Sequence, residues 1–211
     1  MEYGLKFHVD WLKGQKTGFF VDQRENRHLL ERYAKGRNVL NMFCYTGGFS
    51  FYAMRGGANL VHSVDSSAKA IDLTNMNVEL NFPGDTRHKA YAEDAFKYLD
   101  RMGDQYDLII LDPPAFTKSR NSVKNATKGY REINIKGMKL VKDGGYLATC
   151  SCSHFMTQEL FTKTIGEAAR SAHKRLRQVE FRTQSPDHPI LWAADESYYL
   201  KFYIFQVVDE K

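Results

Sequence analysis

Only three cysteines occur in the 211 residues: Cys44, Cys150 and Cys152. That is too few for a disulfide framework and fits a reducing compartment. No apolar run approaches the roughly 20 residues that a membrane-spanning helix needs. The opening Met1-Glu2-Tyr3-Gly4-Leu5-Lys6 has neither the basic stretch nor the apolar stretch of a secretory signal. A cytoplasmic location is therefore expected. Repeats and low-complexity tracts are also missing. What is there is an ordinary globular mixture, 43% hydrophobic and 26% charged, long enough for one substantial core. The net charge of +5 suits a polyanionic partner such as RNA, or simply a basic surface.

The apolar pattern divides the chain at about residue 36. In residues 1–36, Leu5, Phe7 and Val9 alternate, and Phe19-Phe20-Val21 follows a polar turn at Gly14-Gln15-Lys16. A hairpin or two short strands is the expectation, then a helix over about Glu25 to Tyr33. Residues 37–211 change to strands alternating with helices. Short apolar strands are read at Val39–Phe43, Leu60–Val64, His88–Tyr91, Leu108–Leu111 and Tyr146–Cys150. Three helical faces lie between or after them: Leu73, Met76 and Leu80; Ile135, Met138 and Val141; and Phe161, Ile165, Ala168 and Ala172. This order predicts an α/β fold with a mostly parallel sheet covered on both faces. Val179–Phe181 and Tyr198–Val207 are joined by a loop alone, so the sheet should end in an antiparallel hairpin.

Ligands of such sheets sit beyond the carboxyl ends of the strands. The first strand runs into Asn41-Met42-Phe43-Cys44-Tyr45-Thr46-Gly47-Gly48-Phe49-Ser50, where paired glycines permit a tight turn and a helix N-terminus faces the ligand. The second ends at Asp65, suited either to ribose hydroxyls or to capping the next helix. Glu93-Asp94 follows the third, again suited to an adenine amino group or to a cap. A Gly-x-x-x-x-Gly-Lys phosphate loop is absent, which argues against a nucleoside triphosphatase, and the first turn departs from the dinucleotide fingerprint. The fourth strand ends in Asp112-Pro113-Pro114-Ala115-Phe116. Its prolines remove two backbone donors and leave carbonyls to accept from an amino-bearing ring, on which Phe116 could stack. The fifth leads into Thr149-Cys150-Ser151-Cys152-Ser153-His154, whose spacing is poor for zinc; no metal is expected.

Taken in order, several runs resemble the catalytic domain of the large-subunit (23S) ribosomal RNA methyltransferase I family. They are Lys16 to Arg27, Phe43 to Ser50, Asp112 to Phe116, Ser151-Cys152-Ser153 and Asp187-His188-Pro189. The resemblance covers essentially the whole chain. It implies a Rossmann-like class I methyltransferase fold with a seven-stranded sheet and a short N-terminal β segment, and S-adenosyl-L-methionine as cofactor. It also implies 23S ribosomal RNA as substrate, methylated at carbon 5 of a cytosine, and a homodimer as a plausible assembly. The family carries an N-terminal PUA RNA-binding domain and a linking hairpin; this chain opens near the end of that linker.

By the same resemblance, Asn41, Phe43, Thr46 and Gly47 cradle the cofactor, Asp65 holds its ribose and Asp94 its adenine amino group. Phe20, Arg24 and Arg27 close over its carboxylate end, and Asp112 borders it. Cytosine carbon 5 is a poor nucleophile until a thiolate adds at carbon 6, which makes covalent catalysis the expected route. Cys152 is assigned as that nucleophile, with Cys150 as the rival, because a period of two places both on one side of a continuing strand. Asp112 holds or protonates the ring nitrogen. Pro113, Pro114, Phe116, Lys118 and His188 are assigned to the substrate, and Lys118, Arg120, Lys124 and Lys128 to a basic loop that tracks phosphates. Related cytosine methyltransferases place a second cysteine where this chain has Ala115, so the base that releases the product is unassigned.

Two other readings compete. Asp-Pro-Pro motifs also resemble those of guanine and base-amino methyltransferases, which need no cysteine. A non-catalytic cofactor-binding or RNA-binding module is the other.

Overall fold

A computed structural model describes residues 1–14, 17–103, 105–116 and 119–210. Seven strands form one sheet: β1 (Asn38–Met42), β2 (Leu60–Asp65), β3 (His88–Ala92), β4 (Tyr106–Leu111), β5 (Val141–Ser151), β6 (Lys174–Arg182) and β7 (Lys201–Asp209). Their spatial order is β3-β2-β1-β4-β5-β7-β6. The first five pair in parallel, and β7 runs antiparallel between β5 and β6. The expected terminal hairpin is present, and its second strand inserts next to the parallel sheet. Strand order reverses between β1 and β4, which opens a crevice at their carboxyl ends.

Six helices cover the sheet: α1 (Arg24–Glu31), α2 (Gly48–Arg55), α3 (Ala68–Asn81), α4 (Ala95–Arg101), α5 (Val123–Leu140) and α6 (Gln158–Ala172). Apolar side chains alternate across the central strands, so each face has its own core. Leu40, Met42, Ile109 and Leu111 pack with α4, α5 and α6 on one side. Val39, Leu108, Ile110 and Cys150 pack with α1 and α2 on the other. Among the described residues, no helix is long and apolar enough to cross a membrane.

Three expectations are corrected. The N-terminal hairpin is absent among the described residues, which show only a single bridge between Glu2 and Leu5. The alternation of Leu5, Phe7 and Val9 is real, but the segment docks on a helix. The Lys6 and His8 amides donate to the Asn81 and Asn77 side chains of α3. Four helical residues rise about 6 Å and two extended residues about 6.6 Å, so the two asparagines match alternate amides. The polar turn at Gln15-Lys16 lies outside the described residues.

Second, Leu73 is half-buried while Met76 and Leu80 are exposed. The inner face of α3 is Ala70, Ile71, Thr74, Asn77 and Val78. Polar residues take inner positions because they hold the loop after β1: Thr74 Oγ1 donates to the Tyr45 carbonyl and Asn77 Nδ2 to that of Thr46. Third, Val141 belongs to β5, not to the preceding helix, which ends at Leu140. The face Phe161, Ile165, Ala168 and Ala172 is buried as read.

Candidate active site

A cavity of about 630 Å³ opens at the carboxyl ends of β1, β2 and β4. That is the size of a nucleoside-bearing ligand. The loop after β1 forms its floor. Phe43, Tyr45 and Gly47 take the left-handed conformation at alternate positions, with φ of 57°, 49° and 84°. Such backbone is strained for Phe and Tyr and persists because the surroundings hold it. The Tyr45 amide donates to Asp65 Oδ2 at 3.0 Å, and the Gly47 amide donates to the Cys44 carbonyl at 2.8 Å. A Cβ on Gly47 would come within 2.6 Å of Phe51 and 2.8 Å of Thr74, so the glycine is required twice over.

Carboxylates dominate the polar wall: Asp22, Asp65, Asp94 and Asp112. Asp65 also accepts from the Ser67 amide, and Asp94 caps α4 by accepting from the Lys97 amide, so the capping roles are present alongside the cavity-facing ones. Among the described residues one arginine lines the wall, and it is neutralised. Arg27 makes a bidentate pair with Glu2 through Nε at 2.9 Å and Nη2 at 2.7 Å, and Nη1 donates to the Phe20 carbonyl. Asp22 is buried; Tyr199 donates to its Oδ2, while its Oδ1 has no hydrogen-bond partner among the described residues.

Asp112 directly follows β4, near Asp22, and its Oδ1 accepts from the Gln23 side-chain Nε2 at 3.1 Å. Burial, and then the neighbouring Asp22 charge, push its carboxyl up to about 7 from an ordinary 3.8. The stability consequence has a definite sign. The folded state keeps a proton that the unfolded chain gives up, so this contribution is complete below about pH 3.8 and is lost as pH rises through about 7. Asp112→Asn is therefore expected to melt several degrees above the parent at pH 8, with the gap closing toward pH 4. Thermal unfolding across that range checks it; a gap that ignores pH contradicts it.

The three cysteines separate clearly. Cys44 and Cys150 are buried, and Cys152 alone is partly accessible. Burial first, and then Asp112, push the Cys150 thiol well above its usual value. Cys150 packs in the core, whereas Cys152 lies just past the end of β5 and lines the cavity with Asp112, Pro113 and Pro114. Cys44 touches the cavity, but burial raises its thiol too, and its Sγ–H points at the Tyr45 carbonyl.

Of the residues singled out in the sequence, Phe20, Arg27, Phe43, Thr46, Asp65, Asp94, Asp112, Pro113, Pro114 and Cys152 meet at this cavity. Others do not. Arg24 is turned away into ion pairs with Glu25 and Asp187. His188 sits beside Asp187 in the loop before β7, away from the cavity wall. Asn41 lies beneath the floor, donating to Ser50, with its own Oδ1 unpartnered among the described residues. Gly47 shapes the loop, but Gly48 lines the wall in its place. Phe116 packs on Tyr130, with ring centroids 4.7 Å apart. Lys118 lies outside the described residues. Lys124 and Lys128 are exposed one turn apart on α5, not in a loop.

Asp22 and Gln23 were not singled out. A 3-10 turn over Val21–Gln23 swings both inward ahead of α1. Their signal was position alone, in the same run as Phe20 and Arg24.

The S-adenosylmethionine-dependent methyltransferase family model matches residues 1–205. The chain belongs to that family. Ribosomal RNA large subunit methyltransferase I of Tolumonas auensis is 43% identical over 208 residues, which are 97% of this chain and 52% of the relative. The protein of that name from Shewanella denitrificans is 42% identical over 209 residues, 98% of this chain and 53% of the relative. The chain thus spans about half the length of these curated relatives. A provisionally assigned SAM-dependent methyltransferase of Streptococcus mutans superposes with a TM-score of 0.86 at 28% identity, covering 98% of this chain and 54% of that one. A provisionally assigned methyltransferase solved with SAH gives the same TM-score and identity. Like other members, this methyltransferase domain uses S-adenosylmethionine. The cavity suits it: sulfonium and ammonium carry positive charge, and among the described residues the wall offers four carboxylates, one with an unpartnered buried oxygen, against one already neutralised arginine.

Proposed function

We propose that this domain methylates carbon 5 of a cytosine in 23S ribosomal RNA through a covalent bond to Cys152. The observation that carries the reading is the position of Cys152: the most accessible cysteine lines the same cavity as Asp112-Pro113-Pro114. The name shared by the relatives supports ribosomal RNA as the substrate.

Bound at the acidic wall, S-adenosylmethionine supplies an electrophilic methyl group. The chain's residues do the rest. The Pro113 and Pro114 region offers carbonyls to the cytosine amino group. Asp112, with a carboxyl near pH 7, gives a proton to the adjacent ring nitrogen. The Cys152 thiolate then forms a bond to carbon 6, and the electrons of the 5,6 double bond move so that carbon 5 becomes nucleophilic. Once carbon 5 is methylated, its proton passes to solvent, the double bond re-forms, Cys152 leaves as a thiolate and the ring nitrogen returns its proton to Asp112. Asp65 holds the cofactor's ribose, Asp94 its adenine amino group, and Thr46 with the Gly47-Gly48 backbone its methionine portion.

Charge-assisted hydrogen bonds contribute about 1.5–3 kcal/mol, so Asp65→Ala is expected to weaken S-adenosylmethionine binding roughly ten- to hundredfold. Titration calorimetry checks this; unchanged affinity would remove Asp65 from the site. The reaction itself is tested with labelled cofactor and unmodified 23S ribosomal RNA, followed by mass spectrometry of the nucleosides. The proposal expects 5-methylcytidine. Methylguanosine or an N-methylated base would favour a mechanism that uses the Asp112-Pro113-Pro114 corner without the thiol.

A further inference from the structure

Asp22 sits in the 3-10 turn Val21–Gln23 ahead of α1, and it lines the cavity although 7% of the residue is exposed. The turn is fastened from the far end of the chain. The Ser185 amide and hydroxyl each donate to the Asp22 carbonyl at 2.9 Å, and Asn26 Nδ2 donates to the Thr183 carbonyl at 3.3 Å. The side chain is therefore held inward. Its Oδ2 accepts from the Tyr199 hydroxyl at 2.9 Å. Its Oδ1 is buried and has no hydrogen-bond partner among the described residues. A buried carboxylate oxygen without a donor is costly, and a ligand that brings one relieves the cost.

The neighbouring groups do not supply that donor. Arg27 on α1 has all three guanidinium nitrogens committed, Nε and Nη2 to Glu2 and Nη1 to the Phe20 carbonyl. Gln23 turns its side-chain Nε2 to Asp112. Asp112, after β4, adds a second carboxyl to the same corner. Arg24 is drawn off into ion pairs with Glu25 and Asp187. The run from Phe20 to Arg27 was expected to meet the carboxylate of the cofactor through its arginines. In the folded chain both arginines are already paired, and the ionic group of that run left without a full set of partners is an acid. The turn also abuts the loop after β1. The Phe20 and Tyr45 rings lie 5.4 Å apart between centroids, and a Cβ on Gly48 would come within 3.0 Å of Arg27 Cδ. That loop is the one assigned to the methionine portion of the cofactor.

We propose that Asp22 accepts the α-ammonium of S-adenosylmethionine, so that the N-terminal turn binds the cationic end of the methionine tail and not its carboxylate. The inference rests on reading this cavity as the cofactor site. The ammonium donates to Oδ1 while Tyr199 keeps Oδ2. The tail's carboxylate is left to the amino end of α2, where Gly48 and Phe49 line the cavity and the helix dipole favours an anion. The methylated and demethylated cofactors carry the same ammonium, so Asp22 holds both, whatever the charge on sulfur.

Titration calorimetry with three ligands tests this without any methyl transfer. They are S-adenosylhomocysteine, its deaminated analogue with hydrogen in place of the amino group, and 5′-methylthioadenosine, which lacks the amino-acid tail. Asp22→Asn should weaken S-adenosylhomocysteine about thirtyfold and leave the other two within about twofold. In the parent, deamination should itself cost about tenfold or more. Equal losses for all three ligands would mean that Asp22 serves only the fold or Asp112, and would overturn the proposal; so would unchanged affinity for S-adenosylhomocysteine. Thermal unfolding without ligand reports whether the variant is folded. If it is not, the parent decides: deamination costing about tenfold or more supports the assignment, and a smaller loss overturns it. Failure of the cofactor site itself looks different, because Asp65→Ala would then leave binding of all three ligands unchanged.

Discussion

Cys152→Ala is expected to abolish 5-methylcytidine formation, by at least a thousandfold, while leaving S-adenosylmethionine affinity within about twofold. Among the described residues, no other accessible thiol lines the cavity to add to carbon 6 and depart again. Cys44 is buried beneath its own loop, with its thiol raised and pointed at a carbonyl. Cys150 is fully buried against Asp112 and Gln23. Cys150→Ala removes only a small apolar group from the core and should retain at least a tenth of the activity, at a stability loss of about 1 kcal/mol. Rates with methylatable RNA and binding by calorimetry separate the two variants. Equal loss in both would mean that Cys150 shares the chemistry; equal survival would remove cysteine catalysis altogether.

Glu2→Ala is expected to cost about 3–5 kcal/mol of folding stability, a large share of what a domain of this size possesses. The side chains of Arg27 and Glu2 are 4% and 7% exposed, and the pair is bidentate. Tyr52 also donates to Glu2 at 2.9 Å, and the guanidinium lies 4.6 Å from the centre of the Phe19 ring. Removing the carboxylate leaves a guanidinium buried without its anion on the wall of a cavity that binds a cation. Cofactor affinity should therefore fall along with stability. Replacing both partners, with Glu2→Leu and Arg27→Met together, should recover most of the stability, because the penalty comes from the unpaired charge and not from loss of the pair. Urea unfolding of the single and double variants tests this. A double variant as unstable as Glu2→Ala would show that the pair itself stabilises the fold.

The parallel core was legible because its strands are short apolar runs bounded by chemistry-bearing turns, and that pattern has few alternative folds. Asp65 and Asp112 could be placed at the crevice because Asp65 ends β2, the neighbour of β1, and Asp112 directly follows β4, and strand order reverses between β1 and β4. What escaped depended on tertiary partners. Leu5, Phe7 and Val9 alternate as a strand would, but Asn77 and Asn81, about 70 residues away, take the Lys6 and His8 amides. The outward face of α3 misled because Met76 and Leu80 look like core, while Thr74 and Asn77 are drawn inward by carbonyls of the β1 loop. Arg27 reads as an anion ligand until Glu2 is seen to hold it.

The most direct test of the account uses RNA carrying 5-fluorocytosine, whose carbon 5 cannot lose a proton after methylation, so the enzyme is trapped on its substrate. Incubation with S-adenosylmethionine, denaturing electrophoresis and peptide mapping identify the attached residue. The account predicts a cofactor-dependent RNA adduct on Cys152 that disappears in Cys152→Ala. An adduct on Cys150, or active methylation of unsubstituted RNA with no adduct on the fluorinated one, would contradict it.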